Sequence, residues 1–320
     1  MTDEVIVSIV CNAYNHGKYI EDAIKGFIMQ ETTFKYEVLI HDDCSIDETA
    51  KIIKKYAEEY PDVINAVIEK DNQFSKGVKI NRDIMFPLAK GKYIAMCEGD
   101  DYWIDPYKLQ KQVDYMEKHD DCTFCFTNAK CEINGEIVKQ VIPWSDDSVV
   151  LDGDVYDVDA IERINYIPTA SFMFRKKSLS YLPTLRKGAF TGDGYLKLGL
   201  THLGYAHYIQ ECTCVYRYCV PNSSTTKWKN DYIELKRMAD RFIMMYEDFD
   251  SYFQGKYQII RDRVTLWEIN KAFATGEFKN IKGTKYKSFY KNYQKKGYCI
   301  YLVATTFPRL YILLRNIKNR

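Results

Sequence analysis

The stretch YIAMCEGDDYWIDP, Tyr93 to Pro106, runs an apolar, strand-like segment straight into three acids, Glu98, Asp100 and Asp101. Carboxylates crowded at one point repel each other and lose hydration beside apolar neighbours. Such a cluster persists where a cation or a proton-transfer task compensates it. Three readings are open: a metal site, a catalytic dyad and a solvated turn, since aspartates favour turns for local hydrogen-bonding reasons alone.

Working outward from the turn, strand signals alternate with helical ones. Val5–Val10 is a short β-branched run, followed by polar residues from Asn12 to Gly17 and a helical pattern over Tyr19–Met29. Tyr36–Ile40 reads as a second strand, Thr49–Tyr60 as an amphipathic helix stopped before Pro61, and Val63–Ile68 as a third strand. Val78–Ala89 reads as a helix and Lys92–Met96 as a fourth strand. Beyond the turn, Pro106–His119 is helical, while Cys122–Thr127, Ser171–Arg175 and His207–Tyr218 are extended. Val149–Tyr166 mixes loop and short helix, and Asn230–Phe273 reads as helical with few turn signals before Gly276. This alternation predicts an α/β fold with a mainly parallel sheet flanked by helices, whose ligand chemistry lies at the carboxyl ends of the strands. Asp42 and Asp43 close the second strand as Asp100 and Asp101 close the fourth, so both pairs emerge on one edge.

Acidic strand ends on a parallel sheet also suit a phosphotransfer receiver or an aspartate phosphatase. A receiver wants a far shorter chain than 320 residues, and the phosphatase wants DxDxT after the first strand, where this chain has CNAYNHG. The same stretch supplies neither the GxGxxG of a dinucleotide enzyme nor the Gly-rich basic loop of a nucleotidyltransferase.

VSIVCNAYNHGKYIEDAI (7–24), YEVLIHDDCSIDETAKII (36–53) and GKYIAMCEGDDYWIDPYKLQKQ (91–112), in this order and spacing, resemble the nucleotide-sugar-binding half of family 2 glycosyltransferases with the GT-A fold. IPTASFMFRK (167–176) and TGDGYLKLGLTHLGYAHYIQECTCVYR (191–217) resemble their acceptor half, and the resemblance runs from about Val5 to Thr226. It implies an inverting transfer of a sugar from a nucleotide-diphosphate donor, a UDP-sugar, to a glycan or lipid-linked oligosaccharide in surface polysaccharide assembly.

The resemblance also implies roles. Ala13, Tyr14, Asn15 and Asp42 correspond to the base pocket, with the Asp42 carboxylate placed to accept the uracil imide hydrogen. Asp43 joins this donor-binding set, although Asp43 or Ser45 can instead cap the following helix. Asp100 and Asp101 match the metal-binding acids, Asp101 as direct ligand and Asp100 near the ribose or the metal. Hard Mn²⁺ or Mg²⁺ takes one or two carboxylates plus substrate phosphates. Arg217 is a candidate diphosphate contact or a structural ion-pair partner. Asp193 stands where the family places its general base, and it is also a natural N-cap for the helical run that follows. Asp231 and Glu211 are the next acids to consider for that role.

Two positions depart from the family pattern. Glu98 stands where an aspartate is usual, and Cys219 where a histidine often follows the Arg217 equivalent. They motivate a second expectation, a catalytically weakened sugar-nucleotide-binding or scaffold subunit. His16 and His41 read as loop or surface residues.

Composition bounds the rest. With 46% hydrophobic residues in 320 the chain has ample core for one large domain and an appendage. The net charge of +1 conceals an asymmetry, because from residue 278 onward there are 11 Lys/Arg and no Asp or Glu. The first 277 residues therefore carry a balance of −10. The expected organisation is a GT-A domain over 1–226, divided into a nucleotide-sugar half (1–120) and an acceptor half (121–226), with a basic helical region over 227–320. The apolar segment Cys299–Leu314, broken by Pro308 and Arg309, suits a helix lying on an anionic membrane surface, placing the protein in the cytoplasm at the membrane's inner face. A helix packed on the domain is the alternative. No nucleic-acid recognition motif accompanies the charge. Ten scattered cysteines, several inside apolar runs, read as reduced core thiols.

Overall fold

The structure, a computed structural model, describes residues 4–143, 153–164, 166–220, 232–293, 297–309 and 311. It divides into two compact units, Met1–Leu182 with Leu196–Val220, and Pro183–Tyr195 with Pro221–Arg320.

The first unit is built on one sheet of ten strands: β1 (Val5–Ala13), β2 (Lys35–Asp42), β3 (Ile64–Ile68), β4 (Tyr93–Met96), β5 (Tyr102–Trp103), β6 (Cys122–Ile133), β7 (Glu136–Gln140), β8 (Val155–Tyr156), β9 (Met173–Arg175) and β10 (Tyr205–Arg217). The strand order is β3-β2-β1-β4-β9-β6-β10-β5, with β7 beside β6 and β8 beside β10. Strands β3, β2, β1 and β4 run parallel, β9 is antiparallel to both β4 and β6, and β6 and β10 are again parallel to each other. The sheet is thus a parallel four-stranded block joined through one reversed strand to a second parallel pair.

Sequence explains why β1 and β4 are interior strands. VIVSIVCNA and YIAM have no polar face to offer water, and Val7, Ile9, Cys11 and Tyr93–Met96 are essentially unexposed. Strands buried on both faces read as continuous apolar runs. Helices Ile20–Ile28, Thr49–Glu59 and Lys108–Lys118 supply the cover.

Two expectations need correction. Val78–Ala89 is not one α-helix: a π-helical turn, Ile80–Met85, is followed by a single α turn, Phe86–Leu88. Pro87 lacks the N–H that would continue a regular ladder. The run Asn230–Phe273, of which 230 and 231 lie outside the described residues, forms two helices, Tyr232–Tyr252 and Gln258–Thr275. Between them Gln254 and Gly255 adopt φ of 53° and 69°, left-handed values that end a helix.

The second unit has its own core. Ile269, Ala272, Phe278, Ile281, Phe289, Tyr290, Tyr301 and Ala304 pack together, joining the long helix to helices Thr284–Tyr293 and Tyr298–Thr306. No helix among the described residues is long and apolar enough to cross a membrane.

Candidate functional site

Three loops leave the carboxyl ends of β1, β2 and β3, and side chains stitch them together. Asn15, with φ of 56°, donates its N–H to Ser45 Oγ at 2.8 Å and accepts from the Ile46 N–H through Oδ1 at 2.9 Å. Asp42, 1% exposed, accepts from the Ser45 N–H through Oδ2 at 3.1 Å, while its buried Oδ1 has no protein donor. Asp43 accepts from the N–H groups of Gln73 (2.7 Å) and Phe74 (3.1 Å). Its carboxylate therefore holds the loop after β3 and does not cap the helix that follows it. The Ala13 side chain is buried, whereas Tyr14 and Phe74 are 48% and 71% exposed.

The acidic turn lies against the first of these loops. Beyond the paired residues of β4, the Cys97 and Gly99 N–H groups continue the ladder to Val10 O (3.1 Å) and Asn12 O (2.9 Å). A Cβ on Gly99 would stand 3.1 Å from Ala13 Cβ and 2.9 Å from His16 Nδ1. Only glycine lets the two loops approach this closely. The turn closes with the Asp101 N–H donating to Glu98 O at 3.1 Å.

Asp101 is 4% exposed, and burial, then Asp100 and Glu98, push its proton affinity well above that of an ordinary carboxylate. The Arg217 backbone N–H, donating to Asp101 Oδ1 at 2.8 Å, opposes them. The nearby guanidinium is already paired. Arg217 Nη2 meets Asp22 Oδ2 at 2.5 Å, Nε donates to Glu132 Oε1 at 3.1 Å, and Nη1 donates to the Asp100 carbonyl at 3.1 Å. The guanidinium lies 4.3 Å from the Tyr102 ring centroid and 5.2 Å from that of Tyr19. In this structure it is an ion-pair hub.

A divalent cation fits this turn chemically. A carboxylate that is buried, crowded by two acids and denied a free guanidinium requires either a proton or a cation. Among the described residues no group of three or more His, Cys, Asp or Glu side chains gathers as a closed metal site. The adjacent Asp100 and Asp101 of the turn are two carboxylates, within the number a phosphate-bound Mg²⁺ or Mn²⁺ takes from protein.

The structure brings Ala13, Tyr14, Asn15, Asp42, Asp43, Asp100, Asp101 and Arg217 to one edge of the first unit. Asp193 belongs to the second unit, where it begins the helix Asp193–His202 and accepts from the Gly194 N–H at 2.9 Å. Cys219 follows Arg217 with φ of 62°. His41 departs from expectation: it is unexposed on β2, 3.7 Å from Glu69, and burial lowers its pKa. Six of the ten cysteines, including Cys97, Cys125 and Cys214, are buried thiols whose pKa burial raises. Sequence reasoning missed Asp22, Glu132 and Tyr102. Tyr102 adjoins the acidic turn, but nothing local marks Glu132.

Comparison with known proteins agrees with this architecture. The model of the family described as glycosyl transferase family 2 matches residues 8–180. An uncharacterized protein of Mycobacterium tuberculosis is 37% identical over 174 residues, covering 53% of this chain and 47% of the relative. The chain thus spans about half the length of that relative. A putative teichuronic acid biosynthesis glycosyltransferase of Bacillus subtilis is 27% identical over 228 residues, 70% of this chain and 83% of its own. Among solved structures, residues 1–349 of S. aureus TarS in complex with UDP-GlcNAc align with a TM-score of 0.55 at 15% identity, covering 94% of this chain and 88% of that one. The mannosyltransferase PcManGT of Pyrobaculum calidifontis, in complex with GDP-Man and Mn²⁺, aligns with a TM-score of 0.53 at 16% identity over 99% and 88%. These likenesses show the GT-A architecture, and with the family model spanning more than half of its residues, the chain belongs to glycosyl transferase family 2.

Proposed function

We propose that the protein transfers a sugar from a nucleotide-diphosphate donor, a UDP-sugar, to a glycan or lipid-linked oligosaccharide in surface polysaccharide assembly, with inversion at the anomeric carbon. The observation that carries this reading is the buried acidic turn at Asp100–Asp101, set against the β1 loop and lacking an unpaired guanidinium. The TarS structure with UDP-GlcNAc and the teichuronic acid relative support the substrate class.

In this reading the base lies against the Tyr14 face, and its imide N–H donates to the unfilled Oδ1 of Asp42. Asn15 and Asp43 keep the pocket's loops in register. Asp100 and Asp101 hold a Mn²⁺ or Mg²⁺ ion, which when bound offsets the charge of the departing diphosphate. Asp193 removes the proton from the acceptor hydroxyl as that oxygen attacks the anomeric carbon. The sugar–phosphate C–O bond breaks with its electron pair leaving on the diphosphate, and one displacement gives inversion. The test is UDP release from a panel of UDP-sugars with Mn²⁺ or with chelator. Release that needs Mn²⁺ and depends on donor sugar supports the reading. Donor binding without hydrolysis or transfer for any donor supports the scaffold alternative that Glu98 and Cys219 raise.

We also propose that the basic second unit rests on an anionic leaflet at the cytoplasmic face, close to a lipid-linked acceptor. Helix Tyr298–Thr306 buries Tyr301 and Ala304 and leaves Ile300 54% exposed, with Phe307 beyond it 60% exposed. Exposed apolar side chains in a lysine-rich region suit an interfacial surface.

A further inference from the structure

We propose that Glu132 is a positioning residue for the acidic turn and, through it, for binding of the divalent cation. Its side chain, 14% exposed near the end of β6, uses both oxygens: Oε2 accepts from the Tyr102 hydroxyl at 3.0 Å, and Oε1 accepts from Arg217 Nε at 3.1 Å. Arg217 returns to the turn through its backbone N–H to Asp101 Oδ1 and its Nη1 to the Asp100 carbonyl. Tyr102 is the residue after Asp101. The contacts therefore form a closed ring, Asp101 to Tyr102 to Glu132 to Arg217 and back to Asp101, with Glu132 opposite the acid it serves.

The ring does two things. It ties the turn at consecutive residues, so the Asp101 carboxylate cannot rotate without breaking a hydrogen bond to the end of β10. It also sets a carboxylate against the Arg217 charge, which would otherwise neutralise Asp101 from within and compete with a cation for it. Asp22, half-exposed, is the only other acid on the guanidinium among the contacts described, and solvent screens it more. Removing the Glu132 charge while keeping its shape leaves Arg217 less compensated beside Asp101, and the cation then binds less tightly.

This inference rests on the proposed cation site. In the full-length chain, free Mn²⁺ is measured by electron paramagnetic resonance during titration in the presence of UDP, for wild type, Glu132→Gln, Glu132→Ala, Tyr102→Phe and Asp101→Asn. Glu132→Gln is expected to weaken Mn²⁺ binding by about tenfold or more, the scale seen when a group supporting a metal ligand is lost. Tyr102→Phe, which removes one link and no charge, is expected to weaken it less. A residue holding only the fold would lower the melting temperature and leave the Mn²⁺ affinity of the folded fraction unchanged. That result for folded Glu132→Gln, with Asp101→Asn impaired, overturns the role of Glu132 alone. Wild-type Mn²⁺ affinity in Asp101→Asn overturns the cation site, and this inference with it.

Discussion

The backbone N–H of Arg217 donates to Oδ1 of Asp101 at 2.8 Å, so the acid that follows β4 is aimed by the last residue of β10. Strand β5 pairs antiparallel with β10, with Val215 opposite Tyr102, so the residue before β5 meets the main chain at the end of β10, and no substitution at 217 except proline removes that donor. The Arg217 side chain acts separately, and the two contributions can be separated by mutation.

Asp101→Asn keeps an acceptor for the Arg217 N–H but removes the charge. The variant is expected to lose Mn²⁺-dependent UDP binding while its melting temperature holds, because removal of a crowded like charge does not destabilise the turn. Calorimetry with UDP, with Mn²⁺ and with chelator, checks this. Unchanged Mn²⁺-dependent affinity would falsify the assignment.

Arg217→Ala leaves the part-buried Glu132 without its cation. Breaking a part-buried pair on one side costs more than the roughly 1 kcal/mol of an exposed pair and up to about 3 kcal/mol, whereas the half-exposed Asp22 contact adds little. Arg217→Lys is expected to recover only part of this loss, since an ammonium cannot reproduce the three directed contacts of the guanidinium fork. Urea unfolding of the three proteins measures it. Equal stability of Arg217→Ala and wild type would contradict the hub.

What the sequence discloses follows from what is local. The strands β1 to β4 are apolar runs that stop at polar turns, so their alternation with helices was legible, as was the edge on which the acids gather. Arg217 was legible only as a choice between phosphate contact and ion pair. Its partners Asp22 and Glu132 lie 195 and 85 positions away in the chain, beyond any periodic signal. The break at Gly255 is not legible locally, because a single glycine within a helical pattern is compatible with continuing it. Lys108 reads as an ordinary helix residue near an N-terminus, yet the fold buries it completely beneath Trp103.

That burial sets a pH dependence. Lys108 Nζ donates to Gln112 Oε1 at 2.6 Å and lies 4.3 Å from the Trp103 ring centroid, and desolvation pulls its pKa from the ordinary 10.5 down to about 8. Between these values the unfolded chain holds a proton that the folded chain has released, so this group makes stability rise with pH. The gain across the window is about 3 kcal/mol, from 1.36 kcal/mol per unit. Lys108→Met lacks it. Urea unfolding between pH 7.5 and 9.5 should show wild type gaining on the variant as pH rises, and parallel curves would contradict the argument.

Membrane docking is tested without disturbing the core of the second unit. Truncation after Phe278 would strip Ile281, Phe289, Tyr290, Tyr301 and Ala304 from that core, so loss of binding there would be ambiguous. Ile300→Ser with Phe307→Ser changes two apolar side chains that are each more than half exposed and lie outside that core. Wild type is expected to sediment with phosphatidylserine vesicles at low salt and release as salt rises, each nearby lysine adding about 1 kcal/mol. The double variant should sediment less. Absence of wild-type sedimentation at low salt removes the membrane reading.

Asp193 has an observed place at a helix start and a proposed role as general base, and one substitution separates the two. It is the first residue of the helix Asp193–His202 and its carboxylate accepts from the adjacent Gly194 N–H, so a role at the helix start is the alternative to catalysis. Asn supports a helix N-terminus about as well as Asp, whereas Ala costs about 0.5–2 kcal/mol. Asn cannot take a proton from an acceptor hydroxyl. If Asp193 is the base, Asp193→Asn keeps the wild-type melting temperature and UDP affinity but transfers sugar slower by about a hundredfold or more. A general base acts at the bond-making step, so the loss should fall on kcat with donor affinity unmoved. Wild-type transfer by Asp193→Asn would leave Asp193 a structural residue. The remaining acids named from sequence are Asp231, which lies outside the described residues, and Glu211, an exposed side chain paired with Lys111. Glu211 would have to give up that lysine to act. Glu211→Gln in the same assay then distinguishes it from Asp231.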